Sequence, residues 1–185
     1  NWGIFYGSPV LFPFPKDETF AAARGNMVII DDVIYAVCYN RWAVTWLEKS
    51  EDFGRSWEVV SWLDERLWTN QIECGRINEA SLGYYDGKMY VVGRQQSENG
   101  DNRLEIGVSE DLGVTWTWSF LPIEGHAPSL TPYKDAFILT YRNVKDSNRG
   151  KYSFDTVLLK DGKLASNPAS LFESDNFDVG YGDVL

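Results

Sequence analysis

Histidine is nearly missing from this sequence, with His126 its single copy, and cysteine occurs only as Cys38 and Cys74. Neither cysteine stands in a metal-ligand spacing, so no metal and no cofactor is expected. One pair of cysteines does not establish an oxidising compartment either. Basic residues are outnumbered: 17 Lys and Arg against 27 Asp and Glu give a net charge of −10. Such a chain is a poor partner for nucleic acid or an anionic membrane surface. No apolar run approaches the roughly 18 residues of a membrane-spanning helix. No signal peptide is visible, and the chain begins at Asn1 rather than Met, as a processed product or part of a longer protein would.

Aromatic residues are abundant, at 15% with eight Trp and ten Tyr. They favour pleated, half-buried surfaces, which points to an all-β class. With 185 residues the chain can bury one sizeable core. It also repeats itself. Ser50-Glu51-Asp52-Phe53-Gly54-Arg55-Ser56-Trp57 is matched by Ser109-Glu110-Asp111-Leu112-Gly113-Val114-Thr115-Trp116. Both octets read S-x-D-x-G-x-S/T-W between β-like runs. The residue types describe a turn: the Asp side chain accepts backbone N–H groups, Gly takes positive φ, and Trp restarts a strand.

The repetition extends to whole units of four short strands. One spans residues 22–63, a second 78–121, and a third 126–172, where the octet is eroded to Asp161-Gly162. Asp-Gly-like turns recur at Asp31-Asp32, Asp86-Gly87 and Lys134-Asp135. Such periodicity is that of β-propeller blades. Residues 1–20 read as the end of a preceding blade and 176–185 as the first strand of the next. Three blades cannot close a ring, so the expectation is a fragment of a larger propeller or self-association that completes one. The large aromatics Trp62 and Trp118 are expected in the cores between blades.

The octet resembles the Asp-box of sialidase-type (BNR-repeat) propellers, which implies about three blades and one further strand of a six-bladed ring. Alignment on the turn after each first strand makes Arg24, Glu79, Ala127 (beside His126) and Tyr181 equivalent. The ends of the second strands add Tyr39, Arg94 and Arg142. First strands line a propeller's central channel, so these positions converge on one rim.

Two stretches sharpen the resemblance. Asn78-Glu79-Ala80-Ser81-Leu82, followed by Val91-Val92-Gly93-Arg94, is similar to the sialidase segment bearing a base Glu and a carboxylate-binding Arg. Asp178-Val179-Gly180-Tyr181 is similar to the family's D-x-G-Y segment, whose Tyr opens a blade. The resemblance implies Tyr181 as nucleophile, Glu79 as its base, and Arg94, Arg142 and Arg24 as substrate-binding residues. His126, placed on the same rim, is a candidate general acid or base. A neutral phenol suits a sugar whose anomeric carbon carries a carboxylate, where a charged nucleophile would be repelled. Arginines bind such a carboxylate through planar hydrogen bonds. Where the family places its third Arg, this chain reads Tyr152–Val157, leaving Arg142 or Arg149 as substitutes.

The function implied is exo-hydrolysis of sialic acid or another acidic sugar, in a secreted or periplasmic protein. A further Arg and an acid/base Asp belong to family blades not represented here, so hydrolysis by this chain alone is expected to be weak or absent. Other readings stay open: a non-catalytic glycan-binding or interaction propeller, or a polysaccharide lyase on the same architecture.

Overall fold

The computed structural model describes residues 21–23, 26–40, 45–63, 76–96, 102–144 and 151–175, with the backbone alone at 21–23, 40, 76 and 96. Every regular element among them is a strand. Residues 1–20 and 176–185, and with them the expected terminal strands, lie outside the described residues, as does Cys74.

The first ladder joins β1 (Ala21–Ala23) and β2 (Val28–Ile30) to β3 (Val33–Asn40), then β4 (Thr45–Ser50) and β5 (Glu58–Trp62). The second runs β6 (Arg76–Tyr85), β7 (Lys88–Gln96), β8 (Arg103–Ser109) and the first half of β9 (Thr117–Tyr133). The third takes the second half of β9, then β10 (Ala136–Asn143), β11 (Tyr152–Lys160), and on β11 both β12 (Lys163–Leu164) and β13 (Ala169–Ser174). All pairings are antiparallel.

Two-residue turns close the hairpins, and their chemistry explains the register. Asp31-Asp32, Asp86-Gly87 and Asp161-Gly162 all take positive φ at both positions. That backbone matches the twist of the flanking strands, and Asp and Gly tolerate it best. The sequence suggests a break between the unit ending at residue 121 and the unit beginning at 126, but β9 runs through without one. Arg103 pairs with Glu124, and Gly125 N–H donates to Asn102 O at 2.8 Å. Asn143 takes over as the partner of Gly125. Continuous pairing leaves no place for a turn, so the second and third ladders form one eight-stranded sheet.

Strand alternation builds two cores between the ladders. Met89 and Val91 face a cluster with Tyr35, Val37, Leu47, Ile77 and Leu82. Tyr90 and Val92, on the other face of β7, join Leu104, Ile106, Phe137, Leu139, Tyr141 and Leu159. Period-two side chains thus let one strand serve two neighbours. Trp118 stacks on Trp116 at 5.8 Å and packs on the first of these cores, as expected. Trp62 leans on the fully buried Trp46 at 5.6 Å.

The two octets form the same turn. Ser50 Oγ donates to Asp52 Oδ1 at 2.9 Å and accepts Gly54 N–H at 2.8 Å. Asp52 accepts Ser56 N–H at 2.8 Å and Ser56 Oγ–H at 2.7 Å. Ser109, Asp111, Gly113 and Thr115 repeat this set at 2.8, 2.8, 2.8 and 2.6 Å. The Trp side chains close the loop, Nε1–H donating to the Gly carbonyl at 3.2 Å in the first turn and 2.9 Å in the second. The residue before each Gly, Phe53 or Leu112, also takes positive φ, at 59° and 55°.

Candidate functional site

Two bulges on inner strands organise the site. On β6, Asn78 pairs with Arg94 and Ser81 with Val92, so Glu79 and Ala80 share Gly93. On β9, His126 pairs with Arg142 and Ser129 with Thr140, so Ala127 and Pro128 share Tyr141. Glu79 and Ala127 both take positive φ, 49° and 56°. They are the positions that the turn alignment makes equivalent. A bulge adds a residue to one strand and re-aims a side chain. Gly93 allows the close approach, since a Cβ there would fall 1.9 Å from Ile77 Cγ2.

The re-aimed Glu79 leaves its own ladder. Its Oε2 accepts the N–H of Ala127 at 3.0 Å, and Arg94 Nη1 stands 3.6 Å from the same oxygen. The second contact is an ion pair beyond direct hydrogen-bond length. Ser81 Oγ accepts the N–H of Leu130 at 3.0 Å, a second tie between the same inner strands.

His126 and Arg142 are cross-strand neighbours, 6% and 4% exposed. His126 Nε2 lies 3.2 Å from Asn102 Oδ1. A carboxamide oxygen accepts, which assigns the proton to Nε2 and leaves Nδ1 as a lone pair. Nδ1 is shut off from solvent and meets no hydrogen-bond partner among the described residues; the same holds for Arg94 Nε. Burial first, then the charges of Arg94 and Arg142, hold the imidazole pKa down at about 4, with Glu79 opposing. His126 is therefore neutral at pH 7.

Four of the residues expected on the rim, Glu79, Arg94, His126 and Arg142, are thus neighbours. Arg24, Tyr181 and Arg149 lie outside the described residues. Tyr39 is half-buried at the end of β3. One further polar residue joins the neighbourhood without having been expected: Asn102, which nothing in its sequence context marks. Asp155, 5% exposed, is a second unexpected buried polar residue, on the strand where the resemblance places an arginine and paired with Tyr141 rather than Arg142. Its Oδ2 accepts from Asn143 Nδ2 at 2.7 Å. Burial and the Asp155 charge push the Tyr141 phenol up, so that hydroxyl stays protonated. A signal for Asp155 existed: it interrupts an alternating apolar strand at an inward position. A surface groove of about 570 Å³, lined by Pro122, Ile123 and residues 164–168, shares no residue with this cluster.

The arrangement can hold an anion. Two guanidiniums face one carboxylate and a neutral imidazole, in a chain whose net charge is −10. Among the described residues no cluster of His, Cys, Asp and Glu could hold a metal ion.

No protein-family model matches the sequence, and no curated protein matches it. Solved structures do. A protein of unknown function from Dyadobacter fermentans is 19% identical, with a TM-score of 0.70 over 90% of this chain and 48% of that one. The α-L-arabinanase of Penicillium chrysogenum, solved with arabinobiose, is 16% identical, with a TM-score of 0.67 over 89% of this chain and 53% of that one. The α-L-arabinofuranosidase Arb93A of Fusarium graminearum, solved with an iminosugar inhibitor, is 20% identical, with a TM-score of 0.62 over 84% and 49%. The chain spans about half the length of these three structures. The likeness is one of fold: an all-β chain with the architecture of β-propeller glycoside hydrolases.

Proposed function

We propose that the chain forms consecutive blades of a propeller glycoside hydrolase, and that Arg94 and Arg142 bind the carboxylate of an acidic sugar, sialic acid being the leading candidate. The observation that carries this is the convergence of two arginines on Glu79 and His126 at matched bulges of adjacent inner strands. Blade limits follow the repeat, at 22–63, 78–121 and 126–172. Tyr181 supplies the nucleophile and Glu79 the base, with the remaining catalytic groups contributed by other blades of the ring. The Ala127 N–H bond fixes one oxygen of Glu79, which orients the carboxylate for that role.

A second reading comes from the solved structures: two of them are named as an arabinofuranosidase and an arabinanase, enzymes of arabinose, a neutral sugar. Calorimetric titration of N-acetylneuraminic acid, glucuronic acid and arabinobiose into wild type and Arg94→Ala separates the two. The acidic sugars should bind and arabinobiose should not. Arg94→Ala should weaken the acidic sugars by roughly 1.5–3 kcal/mol, the scale of a charge-assisted hydrogen bond. Equal affinity in both proteins would remove the anion reading, and tighter binding of arabinobiose would favour the neutral sugar.

A further inference from the structure

We propose that His126 is a third ligand of the anion site, and that the protein takes up a proton on His126 Nδ1 together with the sugar carboxylate. This rests on the anion-site reading above and adds a pH-dependent specificity to it.

The geometry makes the coupling. Nε2 is committed to Asn102 Oδ1 at 3.2 Å in either protonation state, so Nδ1 is the nitrogen that gains or loses the proton. Nδ1 is buried and meets no acceptor among the described residues, so an N–H formed there needs one brought in. The charged groups facing the ring come from each neighbouring strand: Glu79 from β6, Arg94 from β7 and Arg142 from β10. Asn102, ahead of β8, is neutral. Both arginines disfavour an imidazolium and Glu79 favours it. A carboxylate landing on the arginines cancels their repulsion and supplies the missing acceptor. Both effects stabilise the protonated ring. By linkage, whatever the anion does for the proton the proton does for the anion. Affinity should therefore rise as pH falls through the bound-state pKa toward the free value of about 4, by up to about tenfold per pH unit between the two. A neutral sugar has no charge to offer and gains nothing.

The chain has one histidine, so its imidazole signals in NMR belong to His126 without assignment. The experiment titrates those signals from pH 3.5 to 8 in wild type, alone and saturated with N-acetylneuraminic acid. A parallel calorimetric titration in buffers of different ionisation enthalpy counts protons taken up. The expected result is an upward shift of the His126 pKa of roughly one unit or more on binding, with matching proton uptake. In His126→Asn the acidic sugar should still bind at pH 7.5, but its affinity should no longer rise toward pH 4 in the same degree. Binding with an unmoved His126 pKa and no proton uptake overturns the coupling and leaves the anion site standing. No binding at any pH removes the anion site and the coupling together.

Discussion

His126 carries a consequence for folding that needs no ligand. In the folded chain its pKa sits at about 4, against an ordinary value near 6.5. Between those values the unfolded chain binds a proton that the folded chain refuses, so stability rises with pH across that window. The contribution is fully present above about pH 6.5 and is lost as pH falls toward 4. By pH 4.5 the loss should reach about 2 to 3 kcal/mol. Urea unfolding at pH 7 and pH 4.5 in wild type and His126→Gln tests this, because carboxylate titration is common to both proteins. Wild type should lose more of its stability than the variant; equal losses would mean that the folded chain accepts the proton freely. Asp52 and Asp111 act in a lower window. Each accepts a backbone N–H and a hydroxyl in its turn, which holds its carboxyl at about 2. Their stabilisation is present above the ordinary carboxylate pKa and is lost as pH falls from about 4 toward 2.

At the scale of the element, the octet turn between third and fourth strands also holds neighbouring ladders together. Gly113 sits at φ 87°, and a Cβ on it would lie 2.1 Å from Leu47 Cδ2 of the first ladder. Ser61 Oγ of that ladder donates to Gly113 O and accepts Trp116 Nε1–H at 3.1 Å. Gly113→Ala therefore meets two penalties, a strained backbone and an overpacked contact, and should cost more than about 1 kcal/mol in a denaturant titration. Gly54 has a similar φ of 81°, yet its added Cβ would meet only Trp57 at 3.7 Å. Gly54→Ala should cost less, and equal costs would assign the whole effect to backbone strain. The turn was legible because its side chains dictate it: Ser, Asp, Gly and Trp each have a fixed partner within eight residues. The two-residue hairpins were legible for the same reason. The unbroken β9 was not, because it depends on Arg103–Glu124 and Gly125–Asn143 pairings between distant segments. The site was half legible. Glu79, Arg94, His126 and Arg142 follow from counting back and forth from the hairpin turns, which bulges preserve by occurring at the same place in both units. Asn102 enters through a tertiary contact that no local pattern encodes.

At the scale of the whole molecule, the third ladder ends at β13 among the described residues. There β13 pairs only with β11, and all of Ala169–Glu173 is exposed, with Leu171 and Phe172 each 59% accessible. Adjacent residues of a strand point to opposite faces, so both faces of this edge carry a large apolar side chain. Between the second and third ladders the inner strands are instead sealed face to face, with Tyr90, Leu104 and Ile106 against Phe137 and Leu159. An unpaired strand with apolar residues on both faces is a template for another chain. We therefore expect this chain to self-associate through β13, whether into a specific pair or an open series. The chain's net charge of −10 opposes that association at long range, so it should strengthen with added salt. Phe172→Lys places a charge on the edge without touching the two cores, and should shift sedimentation toward monomer at a given concentration while leaving the unfolding midpoint nearly unchanged. Wild type that sediments as a monomer at high concentration and high salt would show that the edge is already protected, and Phe172→Lys would then change nothing.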